Sequence, residues 1–495
     1  MILEHLLAST ELLSIGGVIK NLADITVMGL SYDSRSVVPG SLFFALPGSH
    51  NHGTSFVQEA LDQGAVAIVS QEDIPNLSVP LIRVSDCRIA MADLATSFYG
   101  HPSHSLMACG ITGTNGKTTT AYLVRHLCEA CGRSSGLIGT VEYILPGIKE
   151  EASRTTPESI DLQRMMADMT EGGFKAVAME VSSHAIIQER VRGTEFDVAV
   201  FTNLTQDHLD YHGSMEAYFE AKVLLFKRLS EQVIKRGRAV INADDRYAHL
   251  LMERLSSRLT PVTFGQSSNA TFRARDIHYS ATGTVFRLDA RGRSYLVRSP
   301  LIGLFNVYNA LGALASVASM GLELRRAVKA LASVPQVPGR LQRILAARNF
   351  QVFIDYAHSP DALENVLRSL RQLQPHRLIV VFGCGGDRDR SKRPLMAAAV
   401  EPYADEIIVT TDNPRSEDSS AIIDEVVKGF RRGNYQCIVD REKAIHKAIE
   451  MALPNDIILI AGKGHETYQE VNGIRHPFND VIVAQHAMQN VRNSF

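Results

Sequence analysis

The chain has 495 residues, 45% of them hydrophobic and 21% charged, with a formal net charge of −2. That length exceeds what one hydrophobic core usually serves, so several domains are expected. The near-zero charge gives no electrostatic reason to expect nucleic acid or an anionic membrane as the main partner, and any anionic ligand must be met by local clusters of Arg, Lys and backbone N–H groups.

The opening segment MILEHLLASTELLSI lacks a basic region, and Glu4, His5 and Glu11 interrupt its apolar stretch, so no secretory signal is expected. No apolar run reaches membrane-spanning length. The six cysteines are scattered, which disfavours a disulfide framework. Cys128 and Cys131 form a CxxC with no second Cys/His pair at zinc spacing, and read as small helix residues. A reduced, cytoplasmic protein without membrane insertion is expected.

Residues 1–104 hold the strand-like runs LSYDSRSV, SLFFALPG, AVAIVS and PLIRVS and one clear helical stretch, TSFVQEALDQG. Gly100-His101-Pro102-Ser103 reads as a linker. Residues 105–340 open on the strand LMACGIT, followed by a glycine loop and an amphipathic helix from about Thr118 to Cys131. The near-continuous apolar runs KAVAMEV, DVAVFTN and RAVINADD suit a mostly parallel sheet covered by helices on both faces. LIGLFNVYNALGALASVASMGL, broken by Asn306 and Asn309, predicts a buried helix. Residues 341–495 alternate again: QVFIDYAH, DALENVLRSLRQL, RLIVVFGCGG, EIIVTTDNPR and DIILIAGKGHE. This is a second doubly wound, Rossmann-like pattern with polar clusters just past its strand ends, where open α/β sheets place ligands.

The loop Gly113-Thr114-Asn115-Gly116-Lys117-Thr118, running on to Thr119, follows a strand and opens a helix. That order aims backbone N–H groups and a helix N-terminus at phosphate oxygens. Lys117 supplies charge for the β/γ-phosphates and Thr118 a hydroxyl for Mg²⁺. The match to G-x-x-x-x-G-K-[ST] is imperfect, because Ile111 stands at the first glycine position and Gly110 lies one residue early. No guanine-selecting NKxD motif is present, so ATP is expected in place of GTP. Glu180, ending the strand AVAME, and His208, beyond the next strand, are candidates to complete a metal–phosphate site.

TGTNGKTTT, AMEVSSHA, FTNLTQDHLDYHG, YFEAK, FNVYNA, PGRLQ, DNPR and GKGHE span nearly the whole chain. In these motifs and their order the sequence resembles the Mur ligases, which add amino acids one at a time to the UDP-linked muropeptide of bacterial cell walls. The resemblance implies an α/β protein of three domains. These are an N-terminal UDP-muropeptide-binding domain (1–104), a central P-loop ATPase domain with a mostly parallel sheet (105–340), and a C-terminal Rossmann-like amino-acid-binding domain (341–495).

The resemblance also implies roles. Lys117, Glu180, His208 and Lys222 would be catalytic, with Lys222 carbamylated and joining Thr118, Glu180 and His208 around Mg²⁺. Asn306, Arg340 and Asp355 would meet ATP, the co-substrate. Ser34, Ser49, His50, Asn51, Thr155, Thr156, Ser182, Gln188 and Arg190 would meet the UDP-N-acetylmuramoyl dipeptide. His52-Gly53 departs from the Asp-Gly usual in relatives. Arg388, Asp412, Asn413, Pro414, Arg415, Gly462 and Glu466 would form the amino-acid pocket. Lysine-adding relatives lack the arginine that ends DNPR, and a guanidinium suits the far carboxylate of meso-diaminopimelate. The implied reaction joins diaminopimelate to the muramoyl dipeptide through an acyl phosphate, by an enzyme expected to be monomeric.

Three alternatives stand beside this reading. A lysine-adding Mur ligase is chemically nearest. A folylpolyglutamate synthetase would leave the first 100 or so residues and DNPR unexplained. A non-catalytic, ATP-gated binding protein would not be expected to keep Glu180, His208 and Lys222.

Overall fold

The computed structural model describes residues 1–18, 21–48, 52–344 and 349–490. Its strands form sheets of five, eleven and six strands and a two-stranded ribbon.

In the first sheet the parallel strands Gly29–Ser31, Ser41–Ala45, Ala67–Ser70 and Pro80–Arg83 are joined at the edge by antiparallel Ser14–Gly17. The LSYDSRSV run is shorter than a strand-like reading suggests. The Asp33 carboxylate accepts from Arg35 N at 3.1 Å and turns the chain into a 3₁₀ turn at Ser34–Ser36. TSFVQEALDQG forms the helix Val57–Asp62 behind a 3₁₀ turn. A longer helix, Cys87–Phe98, is absent from the sequence reading. Cys87, Ala90, Met91, Ala92, Leu94, Ala95 and Thr96 are all buried, and the half-buried Arg88, Asp93 and Ser97 make only a thin polar edge to mark it.

At the centre of the eleven-stranded sheet, Met107–Thr112 lies between Ala176–Glu180 and Val198–Phe201, all parallel. The register sets Glu180 opposite Ile111 and Phe201 opposite Thr112, so all three strands end together. Gly110 sits inside the strand and faces the Phe196 ring, outside the phosphate loop. The helix Lys117–Ala130 follows, and Leu304–Ser319, buried almost all round, packs against it. Cys128 lies buried in that first helix and Cys131 at its C-cap, neither facing a metal cluster among the described residues. Both edges are extended: on one side Phe272–Ser280 joins in parallel and continues into the antiparallel Gly283–Ala290 and Arg293–Ser299, and on the other Glu142–Leu145 and Ile148–Glu151 pair antiparallel.

The six-stranded sheet is parallel except for Gln342–Ile344. Ile457–Ala461, late in the chain, inserts between Gln351–Asp355 and Leu378–Phe382. This crossover brings the loops after Asp355, Phe382, Val409 and Ala461 to one edge. Beneath them Arg441 and Asp480, both wholly buried, are joined by bonds of 2.8 and 2.7 Å. Among the described residues no helix is long and apolar enough to cross a membrane.

Candidate active site

One cavity of about 870 Å³ is lined by the glycine loop, the ends of the central strands and the start of the C-terminal sheet. The glycines are sterically required. Gly116 has φ +85° and faces the Asn309 amide, while Gly113 has φ +147° and faces the Thr202 hydroxyl, so a side chain at either would collide. Lys117 curls over the loop, its Nζ donating to Gly113 O (2.9 Å) and Thr114 O (2.8 Å). Burial pushes its ammonium pKa down, opposed by Glu180 and Asp207. Those carbonyls hold the lysine where a phosphate oxygen could replace them.

Glu180 is only 1% exposed. It accepts from Thr118 Oγ1 (3.0 Å), Thr140 N (2.7 Å) and Thr140 Oγ1 (3.1 Å). Arg340 Nη2 donates to Thr118 Oγ1 at 3.0 Å, and its guanidinium lies 4.6 Å over the Tyr356 ring. Asp355, pushed up by burial, accepts from Leu341 N and Ala357 N, which fixes the turn carrying Arg340 against the next strand.

His208 lies in left-handed backbone (φ +54°), its ring T-shaped to His184 at 5.0 Å. Burial depresses His208, His184 and His212 to about 4 each, so all three are neutral imidazoles near pH 7. Lys222 is 1% exposed, with its Nζ 4.3 Å over the Tyr218 ring. Burial, reinforced by Lys117, drives its pKa well down. A lysine desolvated in this way gives up its proton more readily than an exposed one, which favours the nucleophilic amine form. Among the described residues no three His, Cys, Asp or Glu side chains converge on a metal position. A metal ion here would therefore draw on donors of other kinds as well.

Thr155, Thr156, Ser182 and Arg190 line the same cavity. Thr156 Oγ1 donates to Glu180 O (2.8 Å), and Ser182 caps the helix Ser183–Ile187. Arg190 bonds Thr156 O and the Gln188 side chain, so Gln188 supports Arg190 from outside the lining. Glu158, nearly buried, holds Arg88, Arg154 and Arg190 within 3.1 Å.

Several expected residues lie elsewhere. Asn306 is outside the lining, its amide bonded to Ile302 O and Asn309, while Phe305, Tyr308 and Asn309 face the cavity. Its position on the helix turns it into the core. Ser34 lies in the first sheet's domain, donating to Glu59 at 2.7 Å. Ser49, His50 and Asn51 lie outside the described residues.

Arg388 lines the cavity, whereas Asp412, Asn413, Pro414, Arg415, Gly462 and Glu466 form an adjoining cluster at the C-terminal sheet edge. Arg388 and Arg415 flank Gly385, which leaves room for both. Arg415 has φ +52°, donates to Gly386 O (2.7 Å) and lies 3.8 Å from Glu470. Gly462 (φ +114°) faces the Asp412 carboxylate, and Asn413 donates to Glu466 at 2.8 Å. The ribbon Tyr468–Val471/Ile474–Pro477 pins this loop through Arg415 N to Glu470 O and Asn472 N to Arg415 O.

The sequence reading missed Thr140, Tyr356, His358 and Asp361, all on the cavity wall. Asp361 accepts from Asn115 Nδ2 (2.9 Å) and Thr205 Oγ1 (3.1 Å), tying the C-terminal helix Pro360–Arg371 to the glycine loop. Only its place at the helix start hinted at a role beyond capping.

A glycine loop at a strand–helix junction, sharing one cavity with arginines of the C-terminal sheet's domain, has the form of a nucleotide-dependent enzyme's site. Comparison with known proteins gives the same class in finer terms. The family descriptions "Mur ligase family, catalytic domain", "Mur ligase middle domain" and "Mur ligase, glutamate ligase domain" match residues 26–99, 111–317 and 339–464. The UDP-N-acetylmuramoyl-L-alanyl-D-glutamate–2,6-diaminopimelate ligase of Geobacillus kaustophilus (strain HTA426) is 46% identical over 467 residues, 94% of this chain and 95% of that protein. The ligase of the same name from Solibacter usitatus (strain Ellin6076) is 46% identical over 471 residues, 94% of each chain. A solved structure of a ligase of that name superposes with a TM-score of 0.69 at 35% identity, covering 96% of this chain and 98% of that one. The chain belongs to the Mur ligase family, whose members are ATP-dependent ligases that form peptide bonds in peptidoglycan synthesis.

Proposed function

We propose that this enzyme joins meso-2,6-diaminopimelate to UDP-N-acetylmuramoyl-L-alanyl-D-glutamate, using ATP, as a monomer in the cytoplasm. The observation that carries the reading is the shared cavity. It holds the glycine loop, the Thr155–Thr156/Arg190 wall and Arg388 together, with Arg415 one glycine beyond. ATP phosphates would lie on Gly113–Thr119, and Lys117 would exchange its loop carbonyls for phosphate oxygens. Arg340 stays with Thr118 at the phosphates. Thr155, Thr156, Ser182 and Arg190 orient the dipeptide so that the D-glutamate side-chain carboxylate faces the transferred phosphoryl group. The three domains are taken as residues 1–104, 105–340 and 341–495.

Positioning and charge neutralisation supply most of the acceleration of phosphoryl transfer. Neutral His208 avoids adding a cation that would repel Lys117. The lowered proton affinity of Lys222 suits carbamylation: once deprotonated, its nitrogen bonds the carbon of CO₂ and a proton leaves, converting a buried base into an anionic oxygen donor. Thr118, Glu180, His208 and carbamylated Lys222 would hold Mg²⁺, which when bound supplies charge stabilisation to the phosphates. Asp361, holding Asn115 and Thr205, keeps the C-terminal domain against the loop and helps exclude water from the acyl phosphate. Arg415 clamps the far carboxylate of diaminopimelate while its amine attacks the acyl carbon and phosphate departs.

The test is phosphate release with ATP, the UDP-dipeptide and a panel of amino acids. Release should require both co-substrates and be fastest with meso-diaminopimelate. Release without the dipeptide, or equal rates with lysine, would sink the reading.

A further inference from the structure

Lys463 lies in the GKGHE segment but has no part in the chemistry above. It is 0% exposed, an uncommon state for lysine and one that demands partners. Its Nζ donates to Asn413 Oδ1 and to Glu466 Oε2, each at 2.9 Å, and lies 5.6 Å from the centre of the Tyr468 ring. Asn413 Oδ1 also accepts from Glu470 N (3.0 Å), and Asn413 Nδ2 donates to Glu466 Oε2 (2.8 Å). The ammonium therefore sets which way the Asn413 amide faces and fixes one oxygen of Glu466, leaving Oε1 directed elsewhere.

We infer that Lys463 is a positioning residue that makes the amino-acid pocket reject lysine. The inference rests on the proposed diaminopimelate reading and extends it. An unpaired Glu466 would attract any side chain ending in an ammonium, and lysine and diaminopimelate both have one. With Lys463 bonded to it, Glu466 offers orientation and a hydrogen bond but little net charge. Binding then depends on the Arg415 guanidinium, which only a far carboxylate can engage. Arg415 donates to Gly386 O and lies 3.8 Å from Glu470, so an amino acid without that carboxylate leaves the guanidinium unengaged and gains only the Glu466 hydrogen bond at this end of the pocket. Discrimination comes from discounting the shared group as much as from recognising the distinctive one.

The experiment compares wild type, Lys463→Met, Lys463→Arg and Lys463→Met/Glu466→Gln, measuring kcat and KM for diaminopimelate, lysine and ATP. In Lys463→Met the diaminopimelate-to-lysine ratio of kcat/KM should fall by roughly ten-fold or more, mainly through a lower KM for lysine. The KM for ATP should move less than about two-fold. Lys463→Arg should keep most of the wild-type ratio. Removing Glu466 as well should abolish the gain with lysine, because the uncovered charge is gone. A parallel fall with both amino acids in Lys463→Met, leaving the ratio unchanged, would overturn the inference. If Lys463→Met does not fold, Lys463→Arg and Glu466→Gln still decide: a ratio lost in the arginine variant, or lysine use raised by Glu466→Gln, contradicts it. A wild-type enzyme that uses neither amino acid would instead refute the functional reading beneath.

Discussion

Replacing Arg441 by Met should separate the stability of the proposed amino-acid pocket from its chemistry. Arg441 and Asp480 are each 0% exposed and joined by two bonds, of 2.8 and 2.7 Å. The same guanidinium donates to Ala461 O (3.0 Å) and Thr411 O (3.4 Å). Those carbonyls immediately precede Gly462 and Asp412, so one buried cation braces both loops of the pocket. Its removal leaves a carboxylate without its cation and strips the carbonyls of a donor, costing about 3–5 kcal/mol. In a domain of this size that lowers the midpoint of its unfolding by roughly 10 °C. The chain has several cores, so the measurement should be hydrogen exchange on the C-terminal strands beside thermal unfolding, not a single global transition. Arg441→Met/Asp480→Leu should recover most of the loss, since apolar replacement of a whole buried pair is often near neutral. An unchanged C-terminal midpoint in Arg441→Met alone would refute the reasoning.

Lys222→Ala should lower turnover by roughly 100-fold or more, exceeding the ~10–100-fold typical of outer-shell metal partners, and added short carboxylates should restore part of it. Near-wild-type turnover would remove Lys222 from the metal's surroundings. Arg415→Ala should cost about 2–4 kcal/mol of transition-state binding for diaminopimelate, roughly 30- to 1,000-fold in kcat/KM, with phosphate release as the assay. Unchanged kinetics would place Arg415 outside the pocket. His184, His208 and His212 have folded pKa values near 4, below the ordinary 6.5, so between those limits the unfolded chain binds more protons than the folded one. Stability should therefore fall as pH drops from 6.5 towards 4. Denaturant midpoints across that window, flattened by His212→Asn, would check the sign.

The sequence by itself determined what is local. Periodicity and strand-end chemistry marked Met107–Thr112, Ala176–Glu180, Val198–Phe201 and the glycine loop, because Gly113 and Gly116 hold backbone angles that other residues rarely adopt. It also singled out Lys222, which lines the cavity, and the arginine of DNPR, which lies beside it, through the family's motif order. The helix Cys87–Phe98 escaped because its polar edge is thin, made only of the half-buried Arg88, Asp93 and Ser97. Only the tertiary structure decided which polar groups converge. Asn306 and Asn309 are three residues apart on one helix, yet packing turns the first into the core and the second to the cavity. Asp361 reaches the glycine loop from 246 residues away, and Lys463 meets Asn413 because Ile457–Ala461 inserts into the middle of its sheet. A periodic pattern records which face a residue turns inward. It does not record which distant strand end that face will meet, and that pairing is where the charges of the candidate active site are set.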